Sequence, residues 1–428
     1  MYRKSLRLLL IVILLGFLVG CLNAIFLLLL SWVTDIRATY PWLLFFLPAA
    51  GALIAWSYSR YAQEAAKGIN LILSQIHAPE GRGVPFRMVP LVLFSTLLTH
   101  LVGGSAGREG TAVQIGGGIA GSMARFFRLD SISTRLLLMA GISAGFSSLF
   151  GTPVAGAVFG MEVLALGGIR YAALIPCLLA ACVGYWSTML FPIHHTHYPV
   201  IASPELTPLL VGQILLAGGA FAGASVLFLE LSHWIEQRSQ RLVANPILRT
   251  SLGGLLIILV TLALGSQDYN GLSLPLLQAA FTNEGVPAWA FLIKLALTAL
   301  TLGVGFKGGE VTPLFVIGAT LGSALGQLLG LPIELMAALG FVAVFAAAAN
   351  TPLACLIMGL EIFGSGPIVP LAMAIFVAYT LSGHRGIYSA QRVLTHKSQL
   401  MGLAFENKSL HEVRHASKQA LSPSTHEK

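Results

Sequence analysis

The sequence predicts an all-α polytopic membrane protein built from two inverted repeats whose helices are partly broken. Its 428 residues are 56% hydrophobic and only 10% charged, whereas soluble domains carry about 25% charged residues. Apolar runs of spanning length recur along the chain, and several are interrupted by glycine or proline. Two blocks of the first half also recur in the second half, which indicates an internal duplication.

The first half contains both full spans and segments too short to cross a bilayer. Basic residues precede the first predicted span (residues 8–30) and place the N-terminus in the cytoplasm. A second span covers residues 43–58. Residues 65–76 are too mixed to span and predict a re-entrant or interfacial helix. The short, glycine-broken runs of residues 88–166 predict half-helices that meet at mid-membrane.

The remaining spans alternate with loops that follow the positive-inside rule. Spans are predicted over residues 171–190, 209–229 and around 255–264, and the loop at 191–206 carries no Lys or Arg, so we expect it outside. The polar, basic tail predicts a short cytoplasmic end. We therefore expect an integral protein of a bacterial-type inner membrane with both termini in the cytoplasm. The net charge of +8 suits an anionic leaflet better than a nucleic acid.

Neither a metal nor a cofactor is expected. The four cysteines lie in apolar runs without metal-ligand spacing and are interpreted as small core residues. His194, His195 and His197 could hold a metal ion. However, no carboxylate or cysteine stands at ligand spacing, so a solvated loop is the favoured interpretation.

An ionisable pair stands inside sequence that otherwise reads as lipid-embedded. Arg108 and Glu109 lie in the stretch GREGT, residues 107–111. Burying such groups in hydrocarbon is costly, so they indicate a functional site. The apolar run at 112–120 would begin a helix, and its N-terminus would offer free N–H groups and partial positive charge to an anion. Glu109 could fill that anion site itself, or leave it when protonated.

The repeat links this pair to the second half. Residues 107–122 match 308–323 at a spacing of 201, which aligns Glu109 with Glu310 and Thr111 with Thr312. Residues 145–164 match 344–363 at a spacing of 199. That second match pairs Glu162 with Glu361, two side chains interpreted as structural because each lies near a helix end.

The two copies should have opposite orientations, because the first begins inside and the loop between them lies outside. Such folds place their ligand site at the midplane between broken helices. We predict a first transmembrane repeat over residues 1–200, a second, inverted one over 207–392, and a tail over 393–428. Two helix N-termini, each bringing a glutamate, would then point at one place.

At these residues the chain resembles the CLC family of anion channels and anion/proton exchangers. GREGT resembles the family's GREGP, and GGEVTP at residues 308–313 resembles its GGxFxP. Residues 67–70 stand where the family has GSGIP. GHRGIYSA at residues 383–390 resembles the segment with the central pore tyrosine, which would be Tyr388. The resemblance covers nearly the whole chain apart from the tail.

The departures resemble the fluoride/proton antiporter branch of that family. Thr111 and Asn70 replace prolines, and Glu310 stands where that branch has a second pore glutamate. The resemblance implies a homodimer that moves a halide, fluoride or chloride, against protons. It also implies gating and proton transfer by Glu109 and Glu310. The implied anion-binding residues are Asn70, Gly107, Arg108, Gly110, Thr111, Val311, Thr312 and Tyr388.

Two other functions have to be weighed. The first is a chloride channel, or a chloride rather than fluoride exchanger, because the sequence does not fix the anion or the coupling. The second is an intramembrane serine protease, because Gly103 to Gly107 match GxSxG around Ser105 and His100 is close in sequence. Such a protease needs a histidine base on a neighbouring helix, so we expect a transporter and not an enzyme.

Overall fold

A computed structural model describes residues 2–79, 83–193, 195–196, 198–202, 205–282, 286–395, 397 and 409–414. The described chain is mainly helical, and its α-helices are α1 Tyr2–Thr39, α2 Leu47–Tyr61, α3 Ile69–His77, α4 Met88–Leu101, α5 Glu109–Phe126, α6 Ser131–Phe150, α7 Pro153–Glu162, α8 Leu174–Thr188, α9 Pro208–Leu242, α10 Pro246–Leu264, α11 Leu274–Ala279, α12 Ala290–Gly303, α13 Val311–Leu329, α14 Ile333–Ala349, α15 Pro352–Phe363 and α16 Ile368–Leu381. Short 3-10 helices cover Pro41–Phe46, Glu64–Lys67 and Tyr171–Ala173.

Full spans and half-helices are both present. Within the described residues, seven helical stretches are long and apolar enough to cross a bilayer. The first helix, α1, has 38 residues, which is about 57 Å at 1.5 Å per residue. The helix extends beyond the predicted span at both ends because the sequence contains no proline before Pro41. In contrast, α4 and α12 have only 14 residues each, too few for a bilayer core about 30 Å thick.

The two halves repeat one close helix contact. In the first half, α5 packs on α6, and a Cβ added to Gly116 would lie 2.0 Å from the carbonyl oxygen of Gly141. In the second half, α13 packs on α14, and a Cβ added to Gly318 would lie 2.0 Å from the carbonyl oxygen of Gly340. Small residues permit this backbone approach in membrane helices. The predicted fold of inverted repeats with broken helices is confirmed.

A reciprocal pair of glutamates ties the halves together. The carboxylate of Glu162, at the end of α7, accepts hydrogen bonds from the backbone N–H groups of Leu353 and Ala354 at 3.1 and 2.8 Å. Glu361 accepts two bonds from the first turn of α7 at 3.0 and 2.8 Å. Each helix is therefore capped by the other, which requires α7 and α15 to run antiparallel. The structure thus gives both glutamates a structural contact.

The chain also forms a small structure that the all-α prediction lacked. Strands β1, Ala165–Leu166, and β2, Arg392–Val393, pair in parallel. Residues 409–414 pack against them. The resulting apolar cluster consists of Leu166, Val393, Leu410 and Val413. Arg414 adds an ion pair to Glu230 at 2.7 Å. This part of the tail is therefore docked on the transmembrane part.

Candidate functional site

The N-termini of α5 and α13 meet at a backbone seam. Gly107 donates its N–H to the carbonyl oxygen of Gly309 at 2.6 Å, and Gly309 donates to Gly107 at 2.8 Å. A Cβ added to Gly107 would lie 2.8 Å from that same Gly309 oxygen, so only glycine fits there without displacement. The two motifs that the repeat aligns in sequence are thus in direct contact.

Glu109 lies at this seam and is 2% exposed. Its Oε2 accepts the backbone N–H groups of Arg108 at 3.1 Å and Thr312 at 2.9 Å, and the Thr312 hydroxyl donates to the same oxygen. The carboxylate belongs to the first residue of α5 but is held by the first turn of α13. Free N–H groups and the helix dipole make such a position favourable for negative charge.

Arg108 and a small cavity flank the carboxylate. The Arg108 Nε lies 3.6 Å from Oε1 of Glu109, and the arginine side chain is 19% exposed. Arg108, Glu109 and Thr312 also line a cavity of about 30 Å³. The cavity is lined mainly by aromatic and aliphatic side chains, and His195 and Thr196 of the inter-repeat loop contribute to its lining. One small ion or water fits in this volume.

Glu310 lies next to the seam, on the second repeat. It is the residue that precedes α13, directly after Gly309, and it is half-buried. Val311 and Thr312 begin the helix and are both 2% exposed. Close by in sequence, Lys307 lies 4.9 Å from the centroid of the Tyr58 ring. The backbone of Glu310 is thus adjacent to the motif that carries Glu109.

The hydroxyl of Thr111 contacts another threonine of the first repeat. Thr111 and Thr96 have hydroxyl oxygens 2.7 Å apart, and both residues are completely buried. Gly110 is buried as well, and a Cβ added there would lie 3.0 Å from the Cα of Gly309. In this part of α5, the backbone therefore faces the seam.

Asn70 and Tyr388 belong to a second group of predicted site residues. Asn70 Oδ1 accepts the backbone N–H of Ala390 at 3.1 Å, which ties α3 to the segment after α16. Tyr388 is 3% exposed, and its ring meets that of Phe159 edge to face, with centroids 6.5 Å apart. The structure therefore places Asn70 next to the segment that carries Tyr388.

The geometry does not support a serine protease. Within the described residues, the hydrogen bonds of the His100 ring go to the carbonyl oxygens of Thr96 and Ala106, at 2.8 and 3.1 Å, and not to Ser105. Ser105 contacts a different candidate base, Lys294, at 3.0 Å, and a Ser–Lys pair can act in hydrolysis. However, Ser105 and Lys294 are both completely buried, so a peptide cannot reach the hydroxyl.

One histidine of the 191–206 loop lies within the described residues. His195 stacks on Tyr185 with ring centroids 6.2 Å apart, whereas His194 and His197 lie outside the described residues. The part of the chain that the structure describes contains no cluster of three or more His, Cys, Asp or Glu side chains able to hold a metal.

Lys294 is the buried group that the sequence analysis missed. It is a single charge inside the apolar helix α12 and makes four polar contacts. The rule that singled out Arg108 and Glu109, that intramembrane charges indicate function, would have found it.

Comparison with known proteins shows the family to which the chain belongs. A sequence model of the family described as "Voltage gated chloride channel" matches residues 50–383. A "Chloride/fluoride channel protein" of Pseudomonas syringae pv. tomato is 46% identical over 387 residues, which are 89% of this chain and 85% of the relative.

Two solved structures are also similar. The crystal structure of a CLC-type fluoride/proton antiporter is 35% identical with a TM-score of 0.88 and covers 92% of this chain and 99% of its own. The structure of a slow cyanobacterial Cl-/H+ antiporter has a TM-score of 0.77, covering 97% of this chain and 99% of its own, but at 19% identity it shows the fold alone. The family resemblance of the sequence is confirmed, and the chain belongs to the voltage-gated chloride channel family, the CLC proteins.

Proposed function

We propose that this protein exports fluoride in exchange for protons, with Glu109 as the group that couples the two. One observation carries the proposal: the buried Glu109 carboxylate accepts hydrogen bonds from the backbone N–H and the hydroxyl of Thr312 on the opposite repeat. A carboxylate oxygen and a fluoride ion accept the same donors. The glutamate therefore occupies the position that a transported anion would take.

Protonation provides the switch. The deprotonated carboxylate makes charge-assisted hydrogen bonds, which are about twice as strong as neutral ones. The protonated side chain loses this advantage and can leave, so that an anion can enter. An anion beside a buried carboxylate in turn favours the protonated form by like-charge repulsion. Anion entry and proton uptake are thereby linked.

Glu310 would provide a second proton-carrying group on the other repeat. It is half-buried and directly follows the seam residue Gly309, and it would carry the proton on the side of the second repeat. The residues proposed to contact or surround the anion are Asn70, Gly107, Arg108, Gly110, Thr111, Val311, Thr312 and Tyr388. Thr111 would act through its backbone, because its hydroxyl is engaged by Thr96.

Fluoride is favoured over chloride for two reasons. Fluoride is small and strongly hydrated, so a pore must replace its water with hydroxyl and amide donors, and Thr312, Asn70 and Tyr388 offer such groups. The name of one similar structure also indicates fluoride, and that of one relative includes both anions. The 46% identical relative is a chloride/fluoride channel protein, and the 35% identical structure is a fluoride/proton antiporter.

The test is reconstitution into liposomes loaded with fluoride, with a fluoride electrode and a pH electrode in the outer medium. We expect fluoride efflux accompanied by proton uptake, so the outer medium becomes alkaline. Glu109→Gln should abolish the fluoride-driven proton movement. Glu334→Gln, which removes an exposed glutamate at the start of α14, is the matched control and should behave as wild type.

Other outcomes identify the alternatives. Equal transport of chloride would indicate a chloride/proton exchanger, and fluoride efflux without any pH change in the wild type would indicate a channel. Proton movement that persists in Glu109→Gln would refute the assigned role of this side chain.

We also propose a homodimer in a bacterial-type inner membrane with both termini in the cytoplasm, as the family resemblance implies. Several large apolar side chains on the surface of α8, among them Ile175 at 66% and Trp186 at 65% exposure, offer surface for lipid or a second subunit. Cross-linking in membranes would reveal the dimer, and protease accessibility of tagged ends would give the orientation. A monomer would contradict the proposed dimer. A tagged end that resists a protease added on the cytoplasmic side would contradict the proposed orientation.

A further inference from the structure

Lys294 is a completely buried ammonium surrounded by neutral oxygens. It lies in α12 and is 0% exposed. Its Nζ contacts the hydroxyl oxygens of Ser105 at 3.0 Å and Ser273 at 2.9 Å, and the carbonyl oxygens of Tyr269 at 3.2 Å and Gly271 at 2.8 Å. In the described part of the chain no carboxylate pairs with it. Burying a charge in this way is costly unless the site is built for it.

The hydrogen-bond pattern can accommodate the charged form of the amine. Both carbonyl groups can only accept. The Ser105 hydroxyl can give its hydrogen to the carbonyl oxygen of Tyr269, at 2.9 Å, and the Ser273 hydroxyl can give its own to that of Asn270, at 3.3 Å. The serine oxygens therefore face Lys294 as acceptors. Four oxygen atoms thus lie within hydrogen-bond distance of Nζ, and the three hydrogens of an ammonium group can all find acceptors among them.

The contacts join two loops, and one of them leads to Glu109. Ser105 lies in the loop between α4 and α5, four residues before Glu109. The other three oxygens belong to residues 269–273, before α11. The same two loops are also joined by Asn270, whose amide donates to the carbonyl oxygen of Gly103 at 2.8 Å. Lys294, from the second repeat, therefore fixes the loop of the first repeat that carries the anion site.

A second cation lies against the same loop. Arg37, at the end of α1, donates to Gln267 at 2.9 Å, and a Cβ added to Gly103 would lie 2.7 Å from its Nε. Two basic side chains, Lys294 and Arg37, therefore pack against the α4–α5 loop. The α4–α5 loop leads directly into α5, whose first residue is Glu109, and in the proposed exchange an anion replaces the Glu109 carboxylate.

We propose that Lys294 is a positioning residue of the anion site: it holds the α4–α5 loop in place and supplies fixed positive charge that stabilises whichever anion, carboxylate or halide, lies at the seam. It acts without touching the ion. The inference rests on the proposed fluoride/proton exchange. A unit charge on the order of 10 Å from an anion, at an effective dielectric constant of about 20, changes anion binding about tenfold.

Two substitutions separate charge from packing in the liposome assay. Lys294→Met keeps the length of the side chain and removes the charge, and Lys294→Arg keeps the charge. We expect Lys294→Met to raise the half-saturating fluoride concentration about tenfold, and Lys294→Arg to restore most of the loss. Equal defects in both variants would show that the charge is irrelevant and overturn the proposal. A Lys294→Met variant that loses only thermal stability, with unchanged half-saturation, would overturn it as well.

A pair of milder variants decides the matter if Lys294→Met does not fold. Ser105→Ala and Ser273→Ala each remove one acceptor of the same ammonium and keep its charge. Only Ser105 belongs to the loop that carries Glu109, so Ser105→Ala should raise the half-saturating fluoride concentration more than Ser273→Ala. Equal or reversed effects would refute the positioning role. Failure of the wild type to couple fluoride to protons would instead refute the proposed function.

Discussion

The capping glutamates of α7 and α15 allow a matched stability test, because the repeat places one chemical device in two environments. Glu162 is 5% exposed, whereas Glu361 is exposed. Each carboxylate accepts two backbone N–H groups from the other helix at similar distances, between 2.8 and 3.1 Å. Replacing each by glutamine leaves the shape almost unchanged and removes the charge.

The expected cost differs between the two positions. Hydrogen bonds to a charged group contribute about 1.5–3 kcal/mol each and neutral ones about 0.5–1.5 kcal/mol. Glutamine can accept well with only its carbonyl oxygen, so Glu162→Gln exchanges two charged bonds for one neutral bond. The net loss is roughly 2–5 kcal/mol. At Glu361 water can replace the lost acceptor, and the loss should be about 1 kcal/mol.

The measurement is thermal unfolding of the purified protein in detergent, followed by tryptophan fluorescence. The midpoint should fall slightly for Glu361→Gln and clearly more for Glu162→Gln. Fluoride transport by the folded fraction should persist in both variants, since neither side chain lies at the seam. Equal losses of stability, or a larger loss at Glu361, would refute the reasoning that burial sets the strength of these caps.

Three further predictions concern single side chains. Thr312→Val removes the hydroxyl that donates to Glu109 and should slow fluoride/proton exchange about tenfold, whereas Thr312→Ser should retain it; a fully active valine variant would contradict the site. Gly318→Ala should destabilise the fold, because its Cβ would meet the carbonyl oxygen of Gly340 at 2.0 Å, and a wild-type unfolding midpoint would contradict the close packing. Asp130 caps α6 by accepting a hydrogen bond from the backbone N–H of Ser133, and this bond lowers the pKa of the Asp130 carboxyl group. The charged cap therefore stabilises the folded state fully above the pKa of an unfolded Asp, about 3.9. The difference in unfolding midpoint between wild type and Asp130→Ala should therefore disappear as the pH falls below that value, and a difference that persists in acid would exclude the charged cap.

The sequence was sufficient to predict the fold and part of the candidate site where the internal repeat related distant segments to each other. The alignment of Glu109 with Glu310 predicted that two helix N-termini, each with a glutamate, would meet. In the structure these N-termini meet at the bridge between Gly107 and Gly309. The inverted fold followed from the same alignment and from the distribution of basic loops. Residues that stand out by their type alone, such as a charged residue in an apolar run, could also be identified from the sequence.

Contacts between distant segments could not be predicted. Nothing near Thr111 in sequence indicates that Thr96 engages its hydroxyl, because the pairing depends on how α4 crosses α5. The tail was predicted only as a cytoplasmic end, since a short polar segment has no periodicity that would indicate docking. The tail contacts the rest of the protein through two apolar side chains, Leu410 and Val413, and through an ion pair to Glu230. These contacts could not be predicted because their partners are distant in sequence.

The double hydrogen bond between Gly107 and Gly309 limits how the protein can move. A cycle that rocked one half against the other would have to break both backbone bonds, at 2.6 and 2.8 Å, and expose them in a site with little water. Rotation of one carboxylate about its own side-chain bonds leaves them intact. The exchange proposed above, in which only the Glu109 side chain moves, is therefore compatible with two halves that stay joined at these two glycines.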